Sequence, residues 1–181
     1  MHRFFSGLYG FYWNTTKTAY VGTGIPGNGS TQFNSPVGLF FDSNENLYVG
    51  DVGNYRVMKF APNGSNGTVV AGTTGSEGSG LNQLGNREIY LYIDSHERLY
   101  VADRDKHRVL RYTNGNNTGT VVAGDGSSTS ASYRLRDPHG IWVDTQSNLF
   151  VSDCENHRIM KWIENATTGI LVAGVNATEG I

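Results

Sequence analysis

One segment of the chain, with a spacing of about fifty residues, occurs three times. The copies read SPVGLFFDSNENLYVGDVGNYRVMKF at 35–60, REIYLYIDSHERLYVADRDKHRVLRY at 87–112 and DPHGIWVDTQSNLFVSDCENHRIMKW at 137–162. Each copy is followed after a short gap by GTVVAG or GILVAG. A repeat of this length is typical of an array of small units, each of which buries its apolar face only against a neighbour.

Each unit contains four short apolar segments that are separated by turn-forming residues. In the first copy these segments begin near Val37, Leu47, Arg56 and Thr68. The spacing predicts four strands joined by hairpin-length turns. The first two segments are apolar on both faces, so we expect both of their faces to be covered. Sheets packed face to face around an axis meet this requirement, and the sequence therefore predicts an all-β fold, a β-propeller of four-stranded antiparallel blades.

The predicted propeller segment is a single domain that contains about three full blades and parts of others. We expect the end of a preceding blade at 1–22, full blades at 35–72, 87–124 and 137–174, and the start of the next linker at 175–181. This content corresponds to about half of a closed ring, and an open arc exposes apolar blade faces. The chain is then either a fragment of a longer product or needs self-association to close the ring.

Charge and composition exclude several classes of protein. The chain has 14 Lys and Arg against 16 Asp and Glu, a formal net charge of −2. A protein that binds nucleic acid through its phosphates carries a basic excess, which the whole chain lacks. No run of residues approaches the roughly 20 apolar residues of a membrane span. Cys154 is the one cysteine in the sequence, so no internal disulfide can form.

The strand and turn pattern resembles the NHL repeat. The matching residues of the first copy are Pro36, Gly38, Asp42, Leu47, Tyr48, Val49, Asp51, Asn54, Arg56, Val57 and Phe60. The third copy matches at the corresponding positions from Pro138 to Trp162, whereas the middle copy has Glu88 and Tyr90 where the Pro and the Gly belong. The resemblance implies a propeller of the type that usually has six blades, but by itself it implies no reaction.

Each copy contains an acid and a base five residues apart. These pairs are Asp51 and Arg56, Asp103 and Arg108, and Asp153 and Arg158. We interpret them as residues that build the blade, because a pair required in every unit serves the unit. The Asp is expected to accept backbone N–H groups in a turn, and the Arg to pair with a carboxylate or with carbonyls inside or between blades.

The histidines test whether the chain is a metal-dependent enzyme. Similar propellers include the peptidyl-amidoglycolate lyase, whose zinc is held by histidines from several blades, and gluconolactonase-type enzymes. A three-histidine site needs three inward-facing imidazoles. Here His139 alone falls in an innermost predicted strand, and His107 and His157 align with Tyr55. We therefore predict no catalytic residue, no metal and no other cofactor, and a fragment of a propeller enzyme remains the alternative.

Four Asn-x-Ser/Thr sequons fall in the predicted turn between the third and fourth strands. They are Asn63, Asn66, Asn116 and Asn165. Outer hairpins are accessible to glycosylation, but Asn, Gly and Ser are also the residues that such turns favour. Glycosylation of these sites stays open at this point. The choice between an extracellular and a cytoplasmic location stays open with it.

The sequence favours a non-catalytic binding or scaffold module for protein or peptide partners. Specificity is expected at loop positions that differ between units while the strands around them repeat. These positions are Val52, Arg104 and Cys154, and Gly53, Asp105 and Glu155. The alternatives are a fragment of a propeller enzyme and an RNA-binding NHL propeller, which predicts a basic loop face.

Overall fold

The computed structural model describes residues 21–113 and 115–175. The expected end of a preceding blade at 1–22 therefore lies outside the described residues except for its last two positions. The same holds for the expected linker at 175–181 beyond its first residue. Across the described ranges, no helix has the length and apolar character needed to cross a membrane.

Twelve strands form three antiparallel sheets of four strands each, and each sheet follows the order of the chain. Blade 1 contains β1 (Pro36–Phe41), β2 (Leu47–Asp51), β3 (Arg56–Phe60) and β4 (Thr68–Gly72). Blade 2 contains β5 (Ile89–Ile93), β6 (Leu99–Asp103), β7 (Arg108–Tyr112) and β8 (Thr120–Ala123). Blade 3 contains β9 (Pro138–Val143), β10 (Leu149–Asp153), β11 (Arg158–Trp162) and β12 (Ile170–Gly174). The predicted all-β fold, with propeller blades of four antiparallel strands, is confirmed.

A short 3₁₀ turn links the second and third strands of every blade. The three turns are Val52–Asn54, Arg104–Lys106 and Cys154–Asn156. Each ends at a residue in the left-handed region, which is Tyr55, His107 or His157. We call the side of the sheets that carries these turns the turn face. It contains all of the loop positions at which the sequence predicts specificity.

The blades are held together by two apolar clusters. The first joins blades 1 and 2 and includes Val57 and Leu110, neither of which has any exposed surface. The second joins blades 2 and 3 and includes Val109 and Val151, which are equally buried. Burying apolar side chains from two neighbouring sheets at once is what makes each blade dependent on the next.

The expectation that the first strand of each unit is covered on both faces is wrong for β1 and β9. Leu39 in β1 is 69% exposed, and Trp142 in β9 is 53% exposed. By contrast, every residue of β5, which lies between two described blades, is buried or half-buried. The apolar residues of an innermost strand are covered only where a neighbouring blade packs against them, and the described array is open on the outer sides of blades 1 and 3.

The middle copy differs locally where its sequence departs from the pattern. In β1 the pairing with β2 shifts between Pro36 and Leu39, and Gly38 has a φ of +74°. A Cβ at Gly38 would collide with the carbonyl oxygen of Ile89, so this bulge requires glycine. β5 pairs with β6 without any shift, and Tyr90 takes an ordinary strand position there.

Candidate functional site

The repeated Asp and Arg of each blade hold the linker that enters that blade. In blade 1 the Arg56 Nε donates to the Asp51 carboxylate over 2.8 Å, and the other Asp51 oxygen accepts the backbone N–H of Asn34 at 2.7 Å. The terminal guanidinium nitrogens of Arg56 donate to three linker carbonyls, those of Asn28, Gly29 and Gln32. We call this arrangement the linker clamp.

Blades 2 and 3 contain the same linker clamp. Arg108 binds Asp103 at 3.1 Å, and Arg158 binds Asp153 at 2.7 Å. The linker carbonyls that accept from these two arginines belong to Ser79, Gly80, Gln83, Ser130, Ala131 and Arg134. Burial raises the pKa of Asp103, and the neighbouring Arg108 guanidinium opposes that rise. All six residues are at most 5% exposed, so these contacts support a role in building the blade.

A second recurrent acid begins the turn between the first two strands of each blade. One carboxylate oxygen of Asp42 accepts the backbone N–H groups of Asn44 and Asn46, both at 2.9 Å. Burial works against ionisation of Asp42, but these hydrogen bonds and those from the Asn46 and Tyr48 side chains bring its pKa below the usual value. Asp94 and Asp144 make the same backbone contacts in their blades. These are Asx-type turns, and their carboxylates are fully engaged in local structure.

His139 lies on the innermost strand of blade 3. Its ring stacks on Tyr90 of blade 2 with a centroid distance of 5.1 Å, and its Nε2 is buried without a hydrogen-bond partner among the described residues. Within residues 21–113 and 115–175, no three His, Cys, Asp or Glu side chains converge as metal ligands would. His139 therefore packs between two blades in this part of the chain.

The main polar cavity of the turn face lies between blades 2 and 3, and we call it the charged cleft. It has a volume of about 490 Å³. Its lining residues are Arg87, Arg104, Asp105, His107, Ser128, Arg136, Asp137 and Glu155. The lining thus combines three arginines with three carboxylates, and it includes three of the six predicted specificity positions.

Arg104 connects the two walls of the charged cleft. Its guanidinium binds Glu88 of its own blade at 2.5 Å and Asp137 of blade 3 at 3.2 Å. Burial opposes ionisation of Arg104, but the two carboxylates raise its pKa. The pKa of Glu88 is lowered by a hydrogen bond to its own backbone N–H and by Arg104. These charges are mutually stabilised, so the wall they form is fixed.

Lys106 and Asp105 extend the ionic network along the turn. The Lys106 ammonium lies 2.7 Å from Asp105 and 3.0 Å from Glu77, and the two hydrogen bonds raise its pKa. Burial would raise the pKa of Asp105, but the hydrogen bond from Lys106 lowers it. Arg87 is held more loosely, at 3.3 Å from Asp137 and 3.7 Å from Asp105, and its side chain is 51% exposed.

Two charged groups of the charged cleft have no side-chain partner among the described residues, and a third group, the His107 ring, has its Nδ1 3.7 Å from the Asp137 carboxylate. The guanidinium of Arg136 and the carboxylate of Glu155 are exposed and make no ion pair there. His107 accepts the backbone N–H of Asp137 at its Nδ1 over 3.2 Å. Its neutral form therefore carries the proton on Nε2, which leaves that N–H as a donor.

A second cavity, of about 390 Å³, lies between blades 1 and 2 at the outer strands. Tyr48, Lys59 and Tyr112 line it, and the Lys59 ammonium sits 5.2 Å from the centre of the Tyr48 ring. The Tyr112 hydroxyl is buried without a hydrogen-bond partner among the described residues, and burial raises its pKa. Lys59 is already engaged by Tyr48 and Asp42, so this cavity offers fewer free charges than the charged cleft.

All four sequon asparagines of the predicted hairpin turns are exposed. Asn63 and Asn165 adopt left-handed backbone conformations, with φ of 58° and 64°. Asn116 accepts the backbone N–H of Thr118 with its side-chain oxygen at 2.9 Å, which is an Asx-type turn. The four side chains are therefore exposed. Asn63, Asn116 and Asn165 also have conformations that are typical of turns.

The sequence reasoning missed Arg87, Arg136, Asp137 and His107 as parts of one cavity. A signal was available at one position, where Ser35, Arg87 and Asp137 are equivalent and differ in charge. The linker that carries Arg136 lies outside the repeated segment, so no comparison between copies could single it out. Of the six predicted specificity positions, the structure brings Arg104, Asp105 and Glu155 into the charged cleft, while Val52 is buried in the first apolar cluster.

The comparisons with known proteins agree with the repeat and the architecture. Residues 135–162, which contain β9, β10 and β11, match the model of the NHL repeat. Comparison with curated protein sequences finds no match.

Solved structures resemble the whole described array at low sequence identity. An auxiliary nutrient binding protein from Bacteroides thetaiotaomicron aligns with a TM-score of 0.62 at 16% identity, over 80% of this chain and 37% of that chain. A streptogramin B lyase aligns with a TM-score of 0.53 at 10% identity, over 83% and 42%. A gluconolactonase from Xanthomonas campestris aligns with a TM-score of 0.55 at 13% identity, over 80% and 48%.

This chain spans less than half the length of each of these three structures. Their names cover binding, elimination and lactone chemistry, and identities this low show a shared fold alone. The chain therefore has the fold of β-propeller blades, and its third blade matches the model of the NHL repeat.

Proposed function

We propose that this chain is a non-catalytic binding or scaffold module that presents its turn face to a protein or peptide partner. The observation that carries the proposal is the charged cleft. It gathers the side chains of positions that differ between blades, while the strands on either side of it repeat. Loops on a rigid scaffold are where binding residues concentrate, because change there does not disturb the packing.

The linker clamps support this proposal by fixing the turn face. Each 3₁₀ turn directly follows the Asp of a clamp, and the Arg of the same clamp begins the next strand. The backbone of each turn is therefore held at both ends by a buried ion pair. A preorganised surface binds with a smaller entropic cost than a flexible one.

We do not propose an enzyme or an RNA-binding protein from these residues. The lyase and the gluconolactonase share the fold with this chain, but no contact within residues 21–113 and 115–175 specifically favours their chemistry. RNA binding through phosphates favours a basic face, whereas the charged cleft pairs three arginines with three carboxylates.

The proposal is tested by selecting binders from a random peptide library displayed on phage, with the purified chain as bait. The test variant combines Arg104→Val with Asp105→Gly, which gives blade 2 the first two turn residues of blade 1. We expect enriched peptides on the wild type and loss of their binding to this variant. Arg111→Gln, on the outer part of blade 2, is the control outside the charged cleft.

Circular dichroism of both variants checks that the blades remain folded. The proposal fails if no peptide sequence is enriched on the wild-type chain. It also fails if the enriched peptides bind the turn variant as well as they bind the wild type.

We also propose the division into blades at 35–72, 87–124 and 137–174, and a six-bladed ring closed by further blades or by a second copy. Ile159, on the outer side of blade 3, is 36% exposed, whereas its equivalents Val57 and Val109 are fully buried by a following blade. Light scattering of the purified chain tests closure by a second copy, since that closure gives twice the mass of 19.8 kDa. A mass equal to one chain rejects it.

We propose that Asn63, Asn66, Asn116 and Asn165 accept N-linked glycans when the chain passes through a secretory pathway. Their exposure on outer hairpins supports this. Mass spectrometry of the chain secreted from a eukaryotic host, before and after enzymatic removal of N-glycans, measures occupancy at each site. Unmodified asparagine at all four positions of the secreted chain rejects the proposal.

A further inference from the structure

We infer that the charged cleft binds a carboxylate of a peptide partner, supplied by an acidic side chain or by a chain terminus. This inference rests on the binding role proposed above and names the chemistry that the same site recognises. It follows from which donors and acceptors of the cleft are already occupied and which are free.

The fixed part of the cleft consists of charges that neutralise one another. Arg104 is shared by Glu88 and Asp137, and Lys106 is shared by Asp105 and Glu77. A group that has two opposite charges within 3.2 Å has little left to offer to a ligand. Of these residues, Arg104, Asp105 and Asp137 line the cleft, and they form its walls rather than its binding groups.

The free part of the cleft consists mainly of hydrogen-bond donors. The guanidinium of Arg136 has five N–H donors and no side-chain partner among the described residues. Arg87 is half exposed, and its contacts to Asp137 and Asp105 are long, so part of its guanidinium is also available. The Nε2–H of His107, which lines the same cavity, adds a further donor.

The free acceptors are fewer. They are the Glu155 carboxylate and the Ser128 hydroxyl, both exposed at the rim. A ligand that accepts hydrogen bonds from two guanidinium groups and an imidazole thus matches the free groups better than a ligand that donates.

The charge balance favours a carboxylate over a phosphate monoester. The lining has three arginines and three carboxylates, so there is no net positive field to hold a doubly charged group. A planar carboxylate with a single charge can instead take two parallel hydrogen bonds from one guanidinium. Glu155 would repel a dianion more strongly than it would repel a monoanion.

The experiment titrates the ¹⁵N-labelled chain with four probes and follows backbone amide shifts by NMR. The first is the blocked peptide acetyl-Gly-Ser-Asp-Glu-Asp-Gly-Ser-amide, and the second is its Asn-Gln-Asn counterpart. The third is the counterpart with a free C-terminal carboxylate, which separates a chain terminus from an acidic side chain. The fourth is hexauridylate, which carries phosphates.

We expect at least one carboxylate peptide to bind about tenfold more tightly than the blocked neutral peptide, with shifts at Arg136 and Asp137. Arg136→Gln should weaken this binding about tenfold, as expected for the loss of a charge-assisted hydrogen-bond pair. Glu155→Gln should strengthen it about twofold, because the substitution removes a like charge. Arg111→Gln, which lies outside the cleft, should leave it within about twofold.

The carboxylate inference is overturned if neither carboxylate peptide binds better than the neutral one, or if hexauridylate binds more tightly than both. It is equally overturned if Arg136→Gln has no more effect than Arg111→Gln. In each of these cases, the proposed binding role still holds if peptides selected from the library bind the turn face without using a carboxylate. If the wild-type chain enriches no library peptide at all, the proposed function itself is rejected.

Discussion

The two junctions between the blades share their construction but differ at the turn face. Between blades 1 and 2 the turn contributes Val52, which is 9% exposed and belongs to the apolar cluster. Between blades 2 and 3 the equivalent residue is Arg104, which bridges Glu88 and Asp137. The position opposite also changes character, since the equivalent of Asp137 at the first junction is Arg87.

This difference separates the residues that hold the array together from those that can vary. Both junctions have a linker clamp and a buried apolar cluster, although the turn is apolar at one and ionic at the other. Because the clamp and the apolar cluster hold the blades together at both junctions, a turn residue can change charge without loss of the fold. The second junction could therefore acquire a charged cleft where the first has an apolar contact.

The largest effect is expected from removing a clamp, which should be equally harmful at both junctions. Arg108→Met and Arg158→Met each leave a buried Asp without its partner and three linker carbonyls without a donor. Breaking a buried ion pair in this way costs about 3–5 kcal/mol of unfolding free energy. Urea denaturation measures the loss, with Arg111→Met as a control on the same strand as Arg108. Different losses at the two junctions would show that the clamps are not equivalent.

The second prediction transfers the ionic residue to the apolar junction. Val52→Arg places a cation in the apolar cluster, opposite Arg87 rather than a carboxylate. We expect a loss of about 2 kcal/mol, since a charge loses hydration there and gains no partner. The double variant Val52→Arg with Arg87→Asp supplies the missing carboxylate and should recover part of this loss. Additive losses in urea denaturation would mean that the two positions do not interact.

The third prediction transfers the apolar residue to the ionic junction, and its effect should be smaller. Arg104→Val removes two partly exposed ion pairs, each of which is worth about 0.2–1 kcal/mol. Asp137 keeps Arg87 as a partner, at 3.3 Å, so no carboxylate is left buried and unpaired. We expect a loss of about 1 kcal/mol, less than for Val52→Arg. If this substitution is the more harmful of the two, the ionic network holds the second junction together.

The sequence was sufficient to predict the blades because the repeat reports the same structure three times. The turn positions, the four strands and the recurrent Asp and Arg all lie at constant spacing, so local pattern and tertiary structure agree. The exposure of apolar blade faces was expected from the number of units, but the pattern within one copy did not identify Leu39 and Trp142. Their surroundings depend on whether a neighbouring blade is present, and the sequence of one copy does not show whether that copy has a neighbour.

The charged cleft was only partly predictable for a related reason. Arg104, Asp105 and Glu155 stand out as differences between aligned copies. Arg136 lies in a linker that has no fixed alignment, and Arg87 and Asp137 meet only because two blades pack side by side. Contacts between units are set by the angle and separation of the blades, which the pattern within a unit does not contain.

The smallest effect concerns the pH dependence of the second junction. The folded-state pKa of Glu88 is lowered by its backbone hydrogen bond and by Arg104, so its contribution to stability is present above the unfolded pKa, near 4.5. That contribution is lost as the pH falls through the folded pKa. The Glu88 side chain is 44% exposed, so solvent screening limits it to about 0.5 kcal/mol or less. Glu88→Gln should therefore lower stability slightly at pH 7 and by less at pH 3.

Urea denaturation of the wild type and the Glu88→Gln variant at both pH values measures this difference, and all other titrating groups cancel between the two proteins. The equivalent residue of blades 1 and 3 is a proline, at Pro36 and Pro138, so the effect belongs to the ionic junction alone. A penalty for Glu88→Gln that is as large at pH 3 as at pH 7 would mean that Glu88 acts through packing. In that case the charge of Arg104 would be balanced by Asp137, and the two junctions would differ by one ion pair rather than by a network.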